Sequence, residues 1–240
     1  RNMPIGGGGY FTAIRPHPTR PGVLFVGSDM TGPFRRGTPE EPFVDAARRN
    51  PGIKGRVMTH AVSDIAIHPA RPDIIWACTR GSGLVRSRDG GVTYELVHPV
   101  RSFQKYHGPS IALDPANADI VYRGTAWDGL FRSERGGESG TWEQVVVAEG
   151  KTQGAHLVTF ASQGPVVDGR SQILYAAVDG VGVHASRDGG RSFSLLPGTP
   201  GPAAIDNPRA VRELHAVADG TLYVLTPKQV LRHRDGEGWA

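Results

Sequence analysis

Five residues of this chain combine acid, base and aromatic character at repeat-related positions. Asp29 stands three residues before Gly32, Arg80 three before Gly83, and Asp179 three before Gly182. The same offset in the intervening copy falls on Ala126, followed directly by Trp127 and Asp128. A carboxylate can take a proton or orient a hydroxyl, a guanidinium donates to oxygen, and an indole offers a flat face on which a sugar ring can stack. Such a set suits a polar, ring-shaped ligand. The competing reading is local: Asp29 and Asp179 stand near glycines, where aspartate commonly forms turns, and Trp127 can equally fold over a sheet edge. Tyr106 and His107 are further candidates for a binding surface.

These residues are in register because the chain repeats. The sequence SRDGGVTY at 87–94 returns as SRDGGRSF at 186–193, in altered form as SERGGESGTW at 133–142, and as HRDGEGW at 233–239. The glycine that leads into each copy recurs at intervals of 46 to 53 residues, from Gly32 through Gly83, Gly129 and Gly182 to the equivalent Gln229. Units of roughly 40–50 residues with several short strands predict the four-stranded antiparallel blades of a β-propeller. About four blades and part of a fifth are expected, the last stopping before its fourth strand.

Each unit repeats one order of signals. An alternating strand comes first, at 10–14, 62–67, 109–113 and 157–161. A turn follows, His17-Pro18, His68-Pro69 or Asp114-Pro115, in which proline ends the strand. The shared position marks His17 and His68 as turn residues rather than ligands. An apolar, β-branched strand is next, at 23–26, 74–78, 120–122, 173–177 and 222–225. It places Trp76 in the core and makes the single cysteine, Cys78, a small buried hydrophobe. A third strand, the aspartate-bearing turn and a fourth strand complete the unit.

In that turn the aspartate can accept backbone N–H groups two or three residues on, the serine and threonine hydroxyls can satisfy what remains, and glycine permits positive φ. Asp89 and Asp188 are therefore structural, and the turn carrying Arg135 in place of aspartate must be held differently. Tyr94, Phe193, Trp142 and Trp239 are expected to pack between sheets. The segment 36–60 reads as an inserted loop, with one helical turn at 45–49.

Composition narrows the classes. The chain has 240 residues, 21% charged, with a net charge of +4. Its basic residues are dispersed, Arg35, Arg36, Arg48 and Arg49 forming the densest group, which argues against nucleic-acid binding. No apolar run is long enough to span a membrane. No set of His, Asp, Glu or Cys has metal-ligand spacing, the run Gly6–Gly9 precedes a strand rather than a helix, and no cofactor is expected.

The turn signature resembles the Asp-box of BNR-type repeats, found in sialidases, sortilin-like receptors, photosystem-assembly propellers and xyloglucan-active glycosidases. A narrower resemblance spans about 30 residues. The glycine run 6–9 with Tyr10, the His17-Pro18-Thr19 turn, and Ser28-Asp29-Met30-Thr31-Gly32-Pro33-Phe34-Arg35 look like the amino-terminal opening of glycoside hydrolase family 74, with Ser28, Thr31 and Phe34 departing from its motif. The resemblance implies an endo-β-1,4-glucanase-like activity on a β-glucan such as xyloglucan. It assigns Asp29 as general base; the repeat alignment, independently, offers Trp127, Asp128, Arg80 and Asp179 as substrate-binding residues. The general acid would lie outside this chain, near the start of a second propeller downstream. Residues 1–240 are then a single propeller domain or the amino-terminal part of a larger one, and the location is secreted or extracytoplasmic. The sialidase branch is disfavoured, since Ile14-Arg15-Pro16 is not its Arg-Ile-Pro motif. A non-catalytic Asp-box propeller that binds a protein or glycan is the alternative.

Overall fold

The computed structural model describes residues 10–30, 32–46, 61–101, 108–148, 154–199 and 211–240. The chain divides into two compact units, Arg1–Phe103 and Gln104–Ala240. The described residues are all-β and contain five four-stranded antiparallel sheets, the blades of a β-propeller fold.

The first unit holds two blades. Blade 1 is β1 (Phe11–Pro16), β2 (Leu24–Ser28), β3 (Phe34–Arg36) and β4 (Val44–Asp45). Blade 2 is β5 (Val62–Ile67), β6 (Ile75–Thr79), β7 (Gly83–Ser87) and β8 (Glu95–His98). The second unit holds three. Blade 3 is β9 (Ile111–Leu113), β10 (Val121–Gly124), β11 (Leu130–Ser133) and β12 (Glu143–Val145). Blade 4 joins β13 (Ala155–Phe160) to β16 (Leu174–Val178), β17 (Gly182–Ser186) and β18 (Ser194–Leu195), with a two-stranded excursion, β14 (Val166–Val167) and β15 (Arg170–Ser171), between its first two strands. Blade 5 is β19 (Glu213–Ala216), β20 (Leu222–Leu225), β21 (Val230–Arg234) and β22 (Gly238–Trp239).

Three expectations change. Asp45 belongs to strand β4, paired with Phe34; this fourth strand lies inside the segment read as an insertion, and residues 47–49 of the expected helical turn, like the rest of 47–60, are outside the described set. The last copy does have a fourth strand, because Trp239 pairs with His233. Trp142 is only half-buried and joins neither core cluster of its unit, whereas Tyr94 is buried and Phe193 and Trp239 pack on core clusters as anticipated.

The second strands carry the core. Phe25, Trp76, Tyr122 and Leu222 are wholly buried, as β-branched and aromatic runs between paired neighbours should be. Cys78 is buried and free. The three turns after the first strands use one device. His17 Nδ1 accepts the N–H groups of Thr19 and Arg20, His68 Nδ1 those of Ala70 and Arg71, and Asp114 Oδ1 those of Ala116 and Asn117. Imidazole nitrogen and carboxylate oxygen are interchangeable here because each is an acceptor two bonds from Cβ.

The recurring turn is held through its side chains. Ser186 Oγ donates to Asp188 Oδ1 at 2.7 Å and accepts Gly190 N–H at 2.8 Å. Asp188 then accepts the N–H groups of Arg191 and Ser192 and the Ser192 hydroxyl. Burial opposes ionisation, but these bonds prevail and hold the Asp188 carboxyl at about 2. Ser87, Asp89, Gly91, Val92 and Thr93 repeat the arrangement. Where Arg135 replaces the aspartate, Ser133 Oγ pairs with Thr141 Oγ1 at 2.6 Å, and that hydroxyl donates to the Glu138 carbonyl.

Each regular turn also caps the preceding blade. Gly91 lies against Phe25 so closely that an added Cβ would meet its ring at 2.7 Å. Gly190 lies on Tyr122, whose hydroxyl donates to the Gly189 carbonyl at 3.1 Å. Gly140, with φ +77, has open space on the side where a Cβ would project, with nothing within 4 Å. Alanine at Gly140 should therefore cost only the backbone strain of positive φ, about 1–2 kcal/mol. Alanine at Gly190 adds overpacking and should cost about 2–5 kcal/mol. Chemical denaturation of the two variants checks this; equal losses would mean that the Tyr122 contact does not constrain the fold.

Candidate functional site

Asp29, Arg80 and Asp179 each follow directly on a second strand and dock in the same way. The Asp29 N–H donates to the Tyr10 carbonyl at 3.2 Å, Arg80 N–H to Ala61 at 3.0 Å, and Asp179 N–H to Gly154 at 3.0 Å. Each acceptor immediately precedes the first strand of the same blade. Those three strands share a β-bulge at that end, at Thr12, Ser63 and His156. A bulge re-aims one side chain. Here it sends the Thr12 hydroxyl to the Val62 carbonyl of the next blade, and the His156 ring to the Val211 carbonyl at 3.1 Å. Sequence patterning gave no sign of these bulges, since an extra residue in a ladder leaves no compositional mark.

In the first unit, this geometry brings Asp29 and Arg80 to the same end of adjacent blades. Asp29 Oδ1 accepts Tyr10 N–H at 2.9 Å, which fixes the carboxylate's orientation. Tyr10, Phe11 and Met30 flank it with exposed apolar surface. Arg80 is half-buried, and the Ala61 to which it docks has φ 38, an uncommon conformation for a residue with a Cβ.

In the second unit, the connector between β10 and β11 rests on the start of β13. Thr125 N–H donates to Ala155 at 3.2 Å, and Gly154 packs so closely on Thr125 and Ala126 that a Cβ would strike their carbonyls. Trp127 is 48% exposed at the tip. Asp128 is exposed beside it, anchored through its N–H to Thr125 Oγ1 at 3.0 Å and through its carbonyl to Gln144 Nε2 at 2.7 Å. Asp179 has a different setting. Its Oδ1 lies 2.9 Å from His156 Nδ1, and the two side chains are 12% and 5% exposed. The indole and Asp128 can meet a ligand from solvent; the Asp179 carboxylate is engaged by a buried imidazole that sequence patterning did not single out.

No group of three or more potential metal ligands occurs among the described residues, and none of their helices is long and apolar enough to cross a membrane. The glycine run 6–9, Thr31, Arg48, Arg49, Tyr106 and His107 lie outside the described residues.

No family profile matches the chain, and no curated protein matches it. Solved structures do. A glycoside hydrolase family 74 enzyme of Niastella koreensis matches with TM-score 0.70 at 23% identity, over 100% of this chain and 38% of its own. A family 74 xyloglucanase of Xanthomonas campestris matches with TM-score 0.75 at 18% identity, over 100% and 38%. The extracellular domain of a hybrid two-component system of B. thetaiotaomicron matches with TM-score 0.69 at 12% identity, over 98% and 30%. The chain thus spans under two fifths of each neighbour, and at these identities the likeness establishes the propeller fold.

Three histidines of this scaffold are expected to make its stability pH-dependent. Burial, then the charge of Arg20, pushes the His17 imidazole below 6.5; burial does the same to His184 and His233. A base whose folded value is depressed binds fewer protons than the unfolded chain as pH drops below 6.5, so its contribution is complete above that pH and is lost on acidification. Urea midpoints should therefore fall between pH 7.5 and pH 5.5. His17→Asn, which keeps an acceptor without titrating, should show a smaller fall; an identical fall would remove His17 from the effect.

Proposed function

We propose that the chain is a glycoside-hydrolase-like propeller acting on a β-glucan such as xyloglucan, with Asp29 as general base and the general acid supplied from outside residues 1–240. The observation that carries this reading is the Asp29 carboxylate itself. It is held by Tyr10 N–H at the end of a blade, within the stretch that resembles the family 74 opening, on a fold shared with two family 74 enzymes. A base that activates water must be oriented before substrate arrives, and the Tyr10 bond supplies that orientation. Arg80 is the adjacent donor, and Trp127 with Asp128 form a second contact zone for sugar rings. Asp179 acts through His156, as the anchor of its connector. Inversion at an anomeric carbon requires a second carboxyl group about 6.5–9.5 Å from the first, which makes Asp29 one half of a pair. The serine–aspartate turns are of the Asp-box type, and the polysaccharide substrate fits a secreted or extracytoplasmic protein with a further propeller downstream.

A non-catalytic propeller that binds a protein or glycan is favoured by one observation. The buried His156 engages Asp179, so one of the two repeat-related acids is taken up structurally. The two-component-system neighbour shares this fold as an extracellular domain.

Reducing-end release from xyloglucan, mixed-linkage glucan and cellulose by the full-length protein separates the two. Asp29→Asn should lower turnover by about 10²–10⁴-fold with an unchanged melting temperature. Retained turnover would remove Asp29 from the mechanism, and a folded wild-type protein without activity on any of these glucans would leave the binding reading.

A further inference from the structure

The irregular turn of blade 3 encloses a cleft that the repeat logic does not require. It measures about 550 Å³ and is lined by Arg132, Glu134, Arg135, Thr141, Trp142 and Glu143, a size typical of small-ligand sites. Two sequence departures create it. The span from serine to aromatic is two residues longer here than in 87–94, so Trp142 stands on the cleft wall instead of in a core cluster. Replacement of the turn aspartate by Arg135 removes the internal acceptor and places an exposed guanidinium at the rim.

The charges are arranged in a defined way. Arg132 lies 3.2 Å from Glu134 and 3.7 Å from Glu143. Arg170, which is not part of the cleft lining, also holds Glu134. That hydrogen bond, working against burial and aided by Arg132, keeps the Glu134 carboxyl below the usual carboxylate range. Glu143 is 77% exposed. Arg135 has no carboxylate partner among the described residues. The cleft therefore presents carboxyl acceptors and guanidinium donors side by side, along with the Thr141 hydroxyl and one indole.

We infer that this cleft is a second carbohydrate site, which takes a short stretch of neutral glycan. A neutral polyol is the ligand class that uses every group present. Its hydroxyls donate to Glu134 and Glu143 and accept from Arg135 and Arg132, and the C–H face of a ring packs on Trp142. An anion would meet two carboxylates, and an apolar ligand would strip water from four charges without replacing their partners. The site shares the glycan class of the proposed function but uses none of the residues assigned to it, so it would hold a polymer to the protein whether or not the chain cleaves it.

The test is calorimetric titration of the full-length protein, in an Asp29→Asn background that prevents turnover, with xyloglucan oligosaccharides, cellohexaose and oligogalacturonate. Arg135→Ala and Glu143→Ala alter exposed side chains and should leave the melting temperature unchanged. A lost hydrogen bond to a charged group is worth about 1.5–3 kcal/mol, so each should weaken one class of neutral-glycan site by about tenfold or more. Trp127→Ala should leave that class intact. Unchanged binding in both cleft variants would overturn the proposal, as would Arg135-dependent binding of oligogalacturonate alone. Arg135-sensitive binding by a protein that shows no glucan hydrolysis before Asp29 is altered would sustain this site while removing the enzymatic reading.

Discussion

The second-strand rings of Phe25 and Tyr122 are covered by a lid at a point so close that only a glycine fits there. Gly91 and Gly190 provide it, and the serine and aspartate beside them hold the glycine chain in the positive-φ conformation required. Burial of a large ring yields on the order of 1.5–3 kcal/mol, and the turn delivers it only if its polar groups stay satisfied. The aspartates of the repeat thus belong to packing as much as to hydrogen bonding. Tyr175, one blade on, is buried without such a lid: Glu237 stands at the equivalent position and a Cβ at Gly236 would meet nothing within 4 Å, while burial, then the nearby Asp235, pushes the Tyr175 hydroxyl above 10.

With the lids in place, the opposite requirement falls on the far ends of the blades. There the first strand bulges and the second strand ends, so backbone groups released from the ladder need new partners. Asp29, Arg80 and Asp179 sit where that need arises. In the first unit the solution leaves a carboxylate oriented beside exposed Tyr10 and Met30. In the second it commits the acid to a buried histidine and projects the Trp127 connector instead. One backbone geometry therefore supports two different surfaces, decided by whether the bulge residue is Thr12 or His156.

Much of the architecture was legible because it is written in residue classes. The β-branched runs marked all five second strands, the His-Pro and Asp-Pro steps marked the turns that follow the first strands, and the aspartate spacing marked the lids. What escaped were features carried by one or two residues. Strand β4 is only Val44–Asp45, too short for any periodicity, and its acidic, alanine-rich surroundings favour a helix on local propensity. Strand β22 is Gly238–Trp239. The equivalence of Asp29, Arg80 and Asp179 was readable from spacing to the next glycine, but the His156 partnership was not, because His156 and Asp179 are brought together only by a bulge. In blade 3 the same spacing pointed to Ala126, while the residue that follows the strand is Thr125.

Two kinds of forward contact recur between successive blades within the units. Thr12 reaches forward to Val62, His156 forward to Val211, and the rings of Phe25 and Tyr122 receive the turn of the blade that comes next. Blade 1 offers its successor both fittings, a ring to cover and a side chain seeking a carbonyl, while blade 3 offers the ring and blade 4 the side chain. A copied stretch of gene encoding a blade like the first would thus arrive with a matching donor on one flank and a matching acceptor on the other. Such a chain can lengthen by whole modules without redesign of either neighbour, and its modules remain free to diverge wherever neither fitting is touched.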